Sequence, residues 1–377
     1  MIAGRLDDID ATVLQGLIDN STSESRTLEF KRQIPKDGKE FLADVTAFAN
    51  TSGGDLVLGL DETEGVASDL TGLEGDGDSL ILALECQIRT GVEPRIAGLR
   101  SHWVKLPSGR GILILRIPVS AAAPHRVILG GHNRFYARNS RGKHQMDTHD
   151  LRLAFIAGDA LPEKFRALHD LAVEAAAKGR NLPFPIHEFP TAVISIIPFS
   201  FLREASDYEV TPETAVAPVK ATDGLHAIHM IEGVLLHSPL NAGSPENSNR
   251  NSVRTYALTH RRGRVDVAWT IGRDQIFAGD MSALAVWPKR FEDGLDDAVR
   301  SSGLRLRDLG IEGPYLIQAT VIGIEGSHLI LGPHQSSEGT WRDHARLGEI
   351  LAEDLRTVSL DPLKSAFWLA FGLPRPT

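Results

Sequence analysis

The chain has 377 residues, 42% of them apolar and 24% charged, enough for two hydrophobic cores and unlike a low-complexity protein. Cys86 is the single cysteine, which excludes an intrachain disulfide or a cysteine metal cluster. The net charge of −9 excludes attachment to nucleic acid through overall charge, so any such contact must rest on a local basic surface.

Residues 6–19 place Leu6, Ile9, Val13, Leu14, Leu17 and Ile18 at helical spacing. A polar loop over residues 20–25 delivers Glu24. Residues 27–31 read as a strand with Leu28 and Phe30 facing inward, so Glu29 and Lys31 share the outward face. A turn at residues 35–38 leads to a helix over 39–50, with apolar positions at Phe41, Leu42, Val45, Phe48 and Ala49. Gly53 and Gly54 permit a tight turn into a second strand over 55–61. If the two strands lie side by side, Asp61 emerges near Glu29 and Glu24 joins them from the loop. Glu24, Glu29, Asp61 and Lys31 around one volume would suit a divalent-metal phosphodiesterase site, with Mg2+ or Mn2+ on the carboxylates. The plain alternative is solvated charge at strand ends.

Charge is then distributed unevenly. Residues 61–88 hold eight acids and no Lys or Arg, whereas residues 94–145 hold ten Lys or Arg and no acid. An acidic, glycine-rich loop over 65–78 precedes a helix over 79–90, whose apolar positions are expected to bury Cys86. Strands follow over 96–106 and 112–119, the second interrupted by Arg116, which needs solvent or a partner. In residues 134–138, alternation places Arg134, Tyr136 and Arg138 on one face, with Arg141 and Lys143 in the next loop. That set could stack a base and neutralise phosphates. A structural tyrosine with solvated arginines is the alternative. Asp147 or Thr148 caps a helix reaching Phe155, and residues 158–162 read as a boundary or a short linker.

Residues 24–61, with the string from Ala47 to Gly54, resemble the Schlafen core, the Alba-like domain of animal Schlafen proteins and many bacterial ones. Residues 135–139 and the helix near Asp147 resemble that domain's end, so the likeness covers about residues 15–157. The resemblance implies an α+β fold and, from nuclease members, metal-dependent RNA cleavage by residues at the positions of Glu24, Glu29 and Asp61. It also implies RNA as substrate, tRNA or rRNA for example. Schlafen nucleases pair two related lobes, and this chain has one motif-bearing core, so a homodimer would restore the pair. Other relatives imply DNA or RNA binding without cleavage, or ATP binding; residues 47–61 lack a P-loop signature.

The expected domains are 1–157, Alba-like, and 163–377, a second mixed α/β domain. In the latter, a helix is expected over 163–178, strands over 192–198 and 228–236, and a long exposed loop over 238–252. A hairpin is expected over 253–269, a helix over 290–300, a second hairpin over 315–331, and a helix over 342–355. His226, His229 and His237 lack the surroundings of a zinc site. No stretch reaches the roughly 20 apolar residues of a membrane span, and residues 1–8 lack a signal's apolar centre, so the chain reads as cytoplasmic with no membrane partner.

Overall fold

The computed structural model describes residues 1–139, 142–186, 189–202, 207–219, 224–240, 252–276, 282–332 and 335–376. The fold is mixed α+β, in two compact units. One comprises Met1–Pro162, Phe199–Ser206 and Gly310–Pro314; the other comprises Glu163–Pro198, Asp207–Leu309 and Tyr315–Thr377. Among the described residues, no helix is long and apolar enough to cross a membrane.

In the first unit, Asp10 caps helix α1 (Ala11–Asp19) by accepting from the Thr12 and Val13 amides, both at 2.9 Å. The expected 6–19 helix therefore begins later; Leu6 and Ile9 are buried all the same, ahead of the cap. Strand β1 (Leu28–Lys31), helix α2 (Gly38–Ala49) and strand β2 (Gly54–Leu58) follow, β1 and β2 being parallel with Glu29 opposite Leu56. A small hairpin, β3 (Asp61–Thr63) and β4 (Val66–Asp69), precedes helix α3 (Gly77–Gly91). Strands β5 (Val92–Glu93), β6 (Arg100–Lys105) and β7 (Gly111–Ile117) come next. Strands β8 (Arg126–Val127), β9 (Arg134–Asn139) and β10 (Gly142–Gln145) complete the sheets.

Two four-stranded sheets result, β1-β2-β7-β6 and β10-β9-β8-β5. Helix α2 packs between them, and Phe41, Leu42, Val45 and Phe48 are fully buried against Leu56, Leu58, Leu113 and Leu115. The other face of the first sheet buries Leu6, Leu14, Phe30, Val57 and Ile114. Arg116 finds its partner inside the protein. Its guanidinium pairs with fully buried Asp55 at 2.9 and 3.0 Å and donates to the Ile2 and Gly4 carbonyls.

Cys86 departs from expectation, being exposed, as is Leu82. The buried stripe of α3 runs through Leu84 and Ile88, and two residues along a helix is a turn of about 200°. Residues 158–162 are helical, within α4 (Thr148–Lys178) with Pro162 inside it, and so are not a loop linker; the division between the two units nevertheless falls there, between Pro162 and Glu163.

In the second unit a seven-stranded antiparallel sheet has the order β12-β13-β14-β15-β11-β18-β21. Its members are β11 (Thr191–Pro198), β12 (His226–His229), β13 (Gly233–His237), β14 (Thr255–His260) and β15 (Val265–Thr270), with β18 and β21 below. Residues 228–236 are thus two strands around a turn, and β14–β15 is the expected hairpin. Strands β16 (Gly272–Ile276) and β17 (Ser282–Val286) lead into helix α5 (Pro288–Asp308). Strand β18 (Tyr315–Ile322) pairs with β11 and β21, while β19 (His328–Gly332) pairs with β17 and β20 (Gln335–Ser336), so residues 315–331 are not a hairpin.

Residues 342–355, expected as a helix, hold strand β21 (His344–Ala352). Antiparallel pairing with all eight residues of β18 satisfies its backbone, and Ala345 and Leu347 fall on the buried face. Helix α6 (Asp361–Ala370), not anticipated, packs on that strand. The loop expected over 238–252 lies largely outside the described residues.

Candidate nucleic-acid site

The site grows from the edge of β1. Glu24 precedes the strand and is fixed there by its backbone, its amide donating to the Gly65 carbonyl at 2.7 Å. Its Oε1 accepts from the Phe30 amide at 2.9 Å. Glu29 and Lys31 do share a face, with Lys31 Nζ 2.6 Å from Glu29 Oε1. The other oxygen, Oε2, lies 2.6 Å from a guanidinium nitrogen of Arg138. Arg138 is itself buried, held over the Phe48 ring at 4.3 Å and donating to the Ser25 carbonyl. Glu24, Glu29, Lys31 and Arg138 therefore form one alternating set of charges.

Titration follows these contacts. Burial raises the Glu24 carboxyl, with repulsion from Glu29 adding to it against the Phe30 hydrogen bond. Burial acts on Glu29 in the same sense, but the Lys31 hydrogen bond and the Arg138 charge outweigh it and hold that carboxyl low. Lys31 is raised: its pairing with Glu29 exceeds the cost of burial.

Asp61 is engaged elsewhere. Its Oδ2 lies 3.2 Å from Arg32, and its Oδ1 accepts from the Glu62 amide. Among the described residues, no group of three or more His, Cys, Asp or Glu is disposed to hold a metal ion. The donor set for Mg2+ or Mn2+ is thus not assembled: both oxygens of Glu29 face cations, and Glu24 commits one of its own to the backbone.

The basic residues read from the sequence take different positions. Arg134 is exposed on β9 and bonds the Gln145 side chain. Tyr136 packs against the core, stacks on His132 and shares a hydrogen bond with it at 2.8 Å. Lys143 reaches Asp44 on α2 at 2.7 Å and the Glu40 carbonyl at 3.3 Å. Arg141 lies outside the described residues. The face bearing Tyr136 and Arg138 is turned inward because β9 packs along α2. Of the tract's nine basic residues among the described ones, six pair with acids from outside it: Arg100, Arg110, Arg116, Arg126, Arg138 and Lys143.

Asp44 is the member that sequence reasoning missed. It is 1% exposed, its Oδ2 has no hydrogen-bond partner among the described residues, and burial raises its carboxyl despite Lys143. A signal existed: Asp44 falls three residues after Phe41 and four before Phe48, on the apolar face of α2.

The string from Ala47 to Gly54 acts as a clamp. The Asn50 amide group donates to the His125 and Tyr136 carbonyls, both at 2.9 Å, and its Oδ1 accepts from the His125 amide. Thr51 Oγ1 accepts from the Arg138 amide at 3.0 Å. Gly54 is required by space: a Cβ there would lie 2.5 Å from the Thr27 carbonyl oxygen and 2.6 Å from the Phe48 ring. These contacts position β9, and through it Arg138, against Glu29.

Residues 24–147 match the family model described as Schlafen, AlbA_2. No curated protein matches the chain. Among solved structures, the DIP2311 protein of Corynebacterium diphtheriae is 17% identical with a TM-score of 0.25, over 36% of this chain and 26% of that one. The chain thus spans about a quarter of that protein. The N-terminal domain of a RecG-related protein of Nitrosomonas europaea is 23% identical with a TM-score of 0.26, over 36% of this chain and 95% of that domain. With the clamp and the charge cluster inside the matched segment, residues 24–147 are a Schlafen AlbA_2 domain carried on a longer chain.

Proposed function

We propose that residues 24–147 bind nucleic acid, contacting phosphates through the exposed cations around β1 and β9, Arg32 and Arg134 foremost. Family membership of the segment supports a nucleic-acid-related role. One observation carries the non-catalytic form of this reading: both oxygens of Glu29 lie 2.6 Å from a cation. A carboxylate so engaged is a structural anchor for Lys31 and Arg138 and not an open metal ligand.

Metal-dependent endoribonuclease activity by Glu24, Glu29 and Asp61 is the second reading. Glu24 favours it, because burial, and after it the Glu29 charge, raises its carboxyl, and added positive charge would offset both. On either reading RNA is the first polymer to test, DNA the second, and a homodimer in the cytoplasm the arrangement to test for.

Binding and cleavage separate in one experiment. Labelled tRNA, rRNA and single-stranded DNA are incubated with the protein in Mn2+, Mg2+ or EDTA, alongside Glu24→Gln, Asp61→Ala and Arg134→Glu. Binding that persists in EDTA, weakens in Arg134→Glu, is unchanged in Glu24→Gln and is held or strengthened in Asp61→Ala, which frees Arg32, is the expected result. Metal-dependent cleavage lost in both carboxylate variants would overturn it in favour of the nuclease. Absence of binding to all three polymers would overturn both.

A further inference from the structure

The second unit holds a cluster of cations that the first unit's chemistry does not involve. Arg254 precedes β14, Arg273 lies on β16 and Arg290 sits in the first turn of α5; all three are exposed. Arg273 and Arg290 each lie over the Trp287 ring, at 5.2 and 5.0 Å from its centroid. Among the described residues, none of the three guanidiniums has an ion-pair or hydrogen-bond partner. This contrasts with Arg138 and Arg116, whose charges are matched by carboxylates.

The neighbourhood is a recess. A cavity of about 230 Å³ is lined by Val219, Arg254, Thr255, Trp269, Thr270 and Arg290. Thr255 is 5% exposed and its hydroxyl has no hydrogen-bond partner among the described residues. A buried hydroxyl without a partner is costly, and the like charges of Arg254 and Arg290 on the cavity wall, with Arg273 beside Arg290 over the Trp287 ring, repel. Partial burial, then the nearness of Arg273 and Arg254, depresses the Arg290 guanidinium. Meanwhile the backbone is held firmly. The Arg254 carbonyl accepts from the Thr270 amide at 2.9 Å, and the Arg290 carbonyl accepts from the Trp269 indole at 3.2 Å. Stacking on Trp287 removes further freedom from two of the side chains, so the cations are arranged before a ligand arrives.

We propose that Arg254, Arg273 and Arg290, with the Thr255 hydroxyl, form a binding site for a phosphoryl group. A dianion matches the excess of positive charge, and its several oxygens accept from the planar guanidinium forks and from the hydroxyl at the same time. The phosphoryl group belongs either to a free nucleotide or to the backbone of a nucleic-acid strand. The chemistry of recognition is the same for both, and the site does not depend on what residues 24–147 do.

The test is calorimetric titration of the full chain with inorganic phosphate, a nucleoside triphosphate and a short single-stranded RNA. Arg134→Glu is the background for the RNA arm, so that binding at the first unit does not obscure it. Binding of at least one probe is expected, weakened about tenfold by Arg290→Ala and by Arg273→Gln. Thr255→Val should weaken it and Thr255→Ser preserve it, while Arg300→Ala, on the same helix but paired with Asp297, leaves it unchanged. Nucleotide binding without RNA binding assigns the site to a free nucleotide, and the reverse assigns it to a strand. No heat with any probe from the folded chain would overturn the proposal, as would affinities that Arg290→Ala and Arg273→Gln leave intact.

Discussion

Glu29 shows how a residue legible in the sequence acquires its meaning from partners that are not. Its face, and Lys31 beside it, follow from strand alternation; Arg138, 109 residues away, reaches it because β9 packs along α2. Removing one partner of a buried pair leaves an uncompensated charge. Arg138→Ala should therefore destabilise the first unit by about 3 kcal/mol in urea unfolding, with Arg138→Lys recovering only part. Asp44 provides a second test at this scale. Lys143 is what lowers its carboxyl against burial, so Lys143→Met should move the Asp44 titration further up, as followed by carboxyl NMR. The sign also fixes a pH effect. A carboxyl raised in the folded state contributes stability at low pH that is lost as pH rises through its folded value, so the variant should steepen that loss.

Elements with a strong local pattern behaved as read, and those without one did not. Strand β1, helix α2 and strand β2 follow from periodicity and from two glycines, and Gly54 is fixed by the space left between Thr27 and Phe48. Gly54→Ala should cost about 1–3 kcal/mol, because the clash is with backbone and a packed ring that cannot both retreat; thermal unfolding against wild type measures it. Helix α3 follows from its apolar positions, yet its buried stripe is narrower than they suggest, running through Leu84 and Ile88 and leaving Cys86 exposed. A thiol-specific reagent should accordingly label Cys86 in the folded chain at a rate close to that in denaturant; strong protection would contradict its exposure. Strand β21 failed for a different reason. Its Leu and Ile spacing suits a helix as well as a strand, and pairing with β18 decides between them.

At the scale of the whole molecule, the second unit is tied through its interior by a polar network. Fully buried His169 bonds Ser195 and Thr320, both at 2.9 Å, and the Ser195 hydroxyl donates to Asp266, which also accepts from His260 and Arg264. Burial pulls the His169 imidazole down to about 4, so it is neutral in the folded protein. Unfolding lets it return to an ordinary histidine value, near 6.5, where it binds a proton the folded state refuses. Stability should therefore fall as pH drops from about 6.5 to about 4, by up to about 3 kcal/mol. Urea midpoints across that range test this, and His169→Gln should flatten the dependence.

The sequence by itself determined what is local. Apolar periodicity placed most of the helices and strands, and the string from Ala47 to Gly54 pointed to the domain that the family match shows over residues 24–147. Alternation put Glu29 and Lys31 on one face. Only the tertiary structure decided the charges. A basic tract free of acids looks like a surface for phosphate, yet six of its nine described cations are matched by carboxylates brought in from other elements. Among the described residues, the same closure left Arg254, Arg273 and Arg290 unmatched in a region that carries no motif. Electrostatic energy depends on distance through space and on burial, and neither is set by neighbours along the chain.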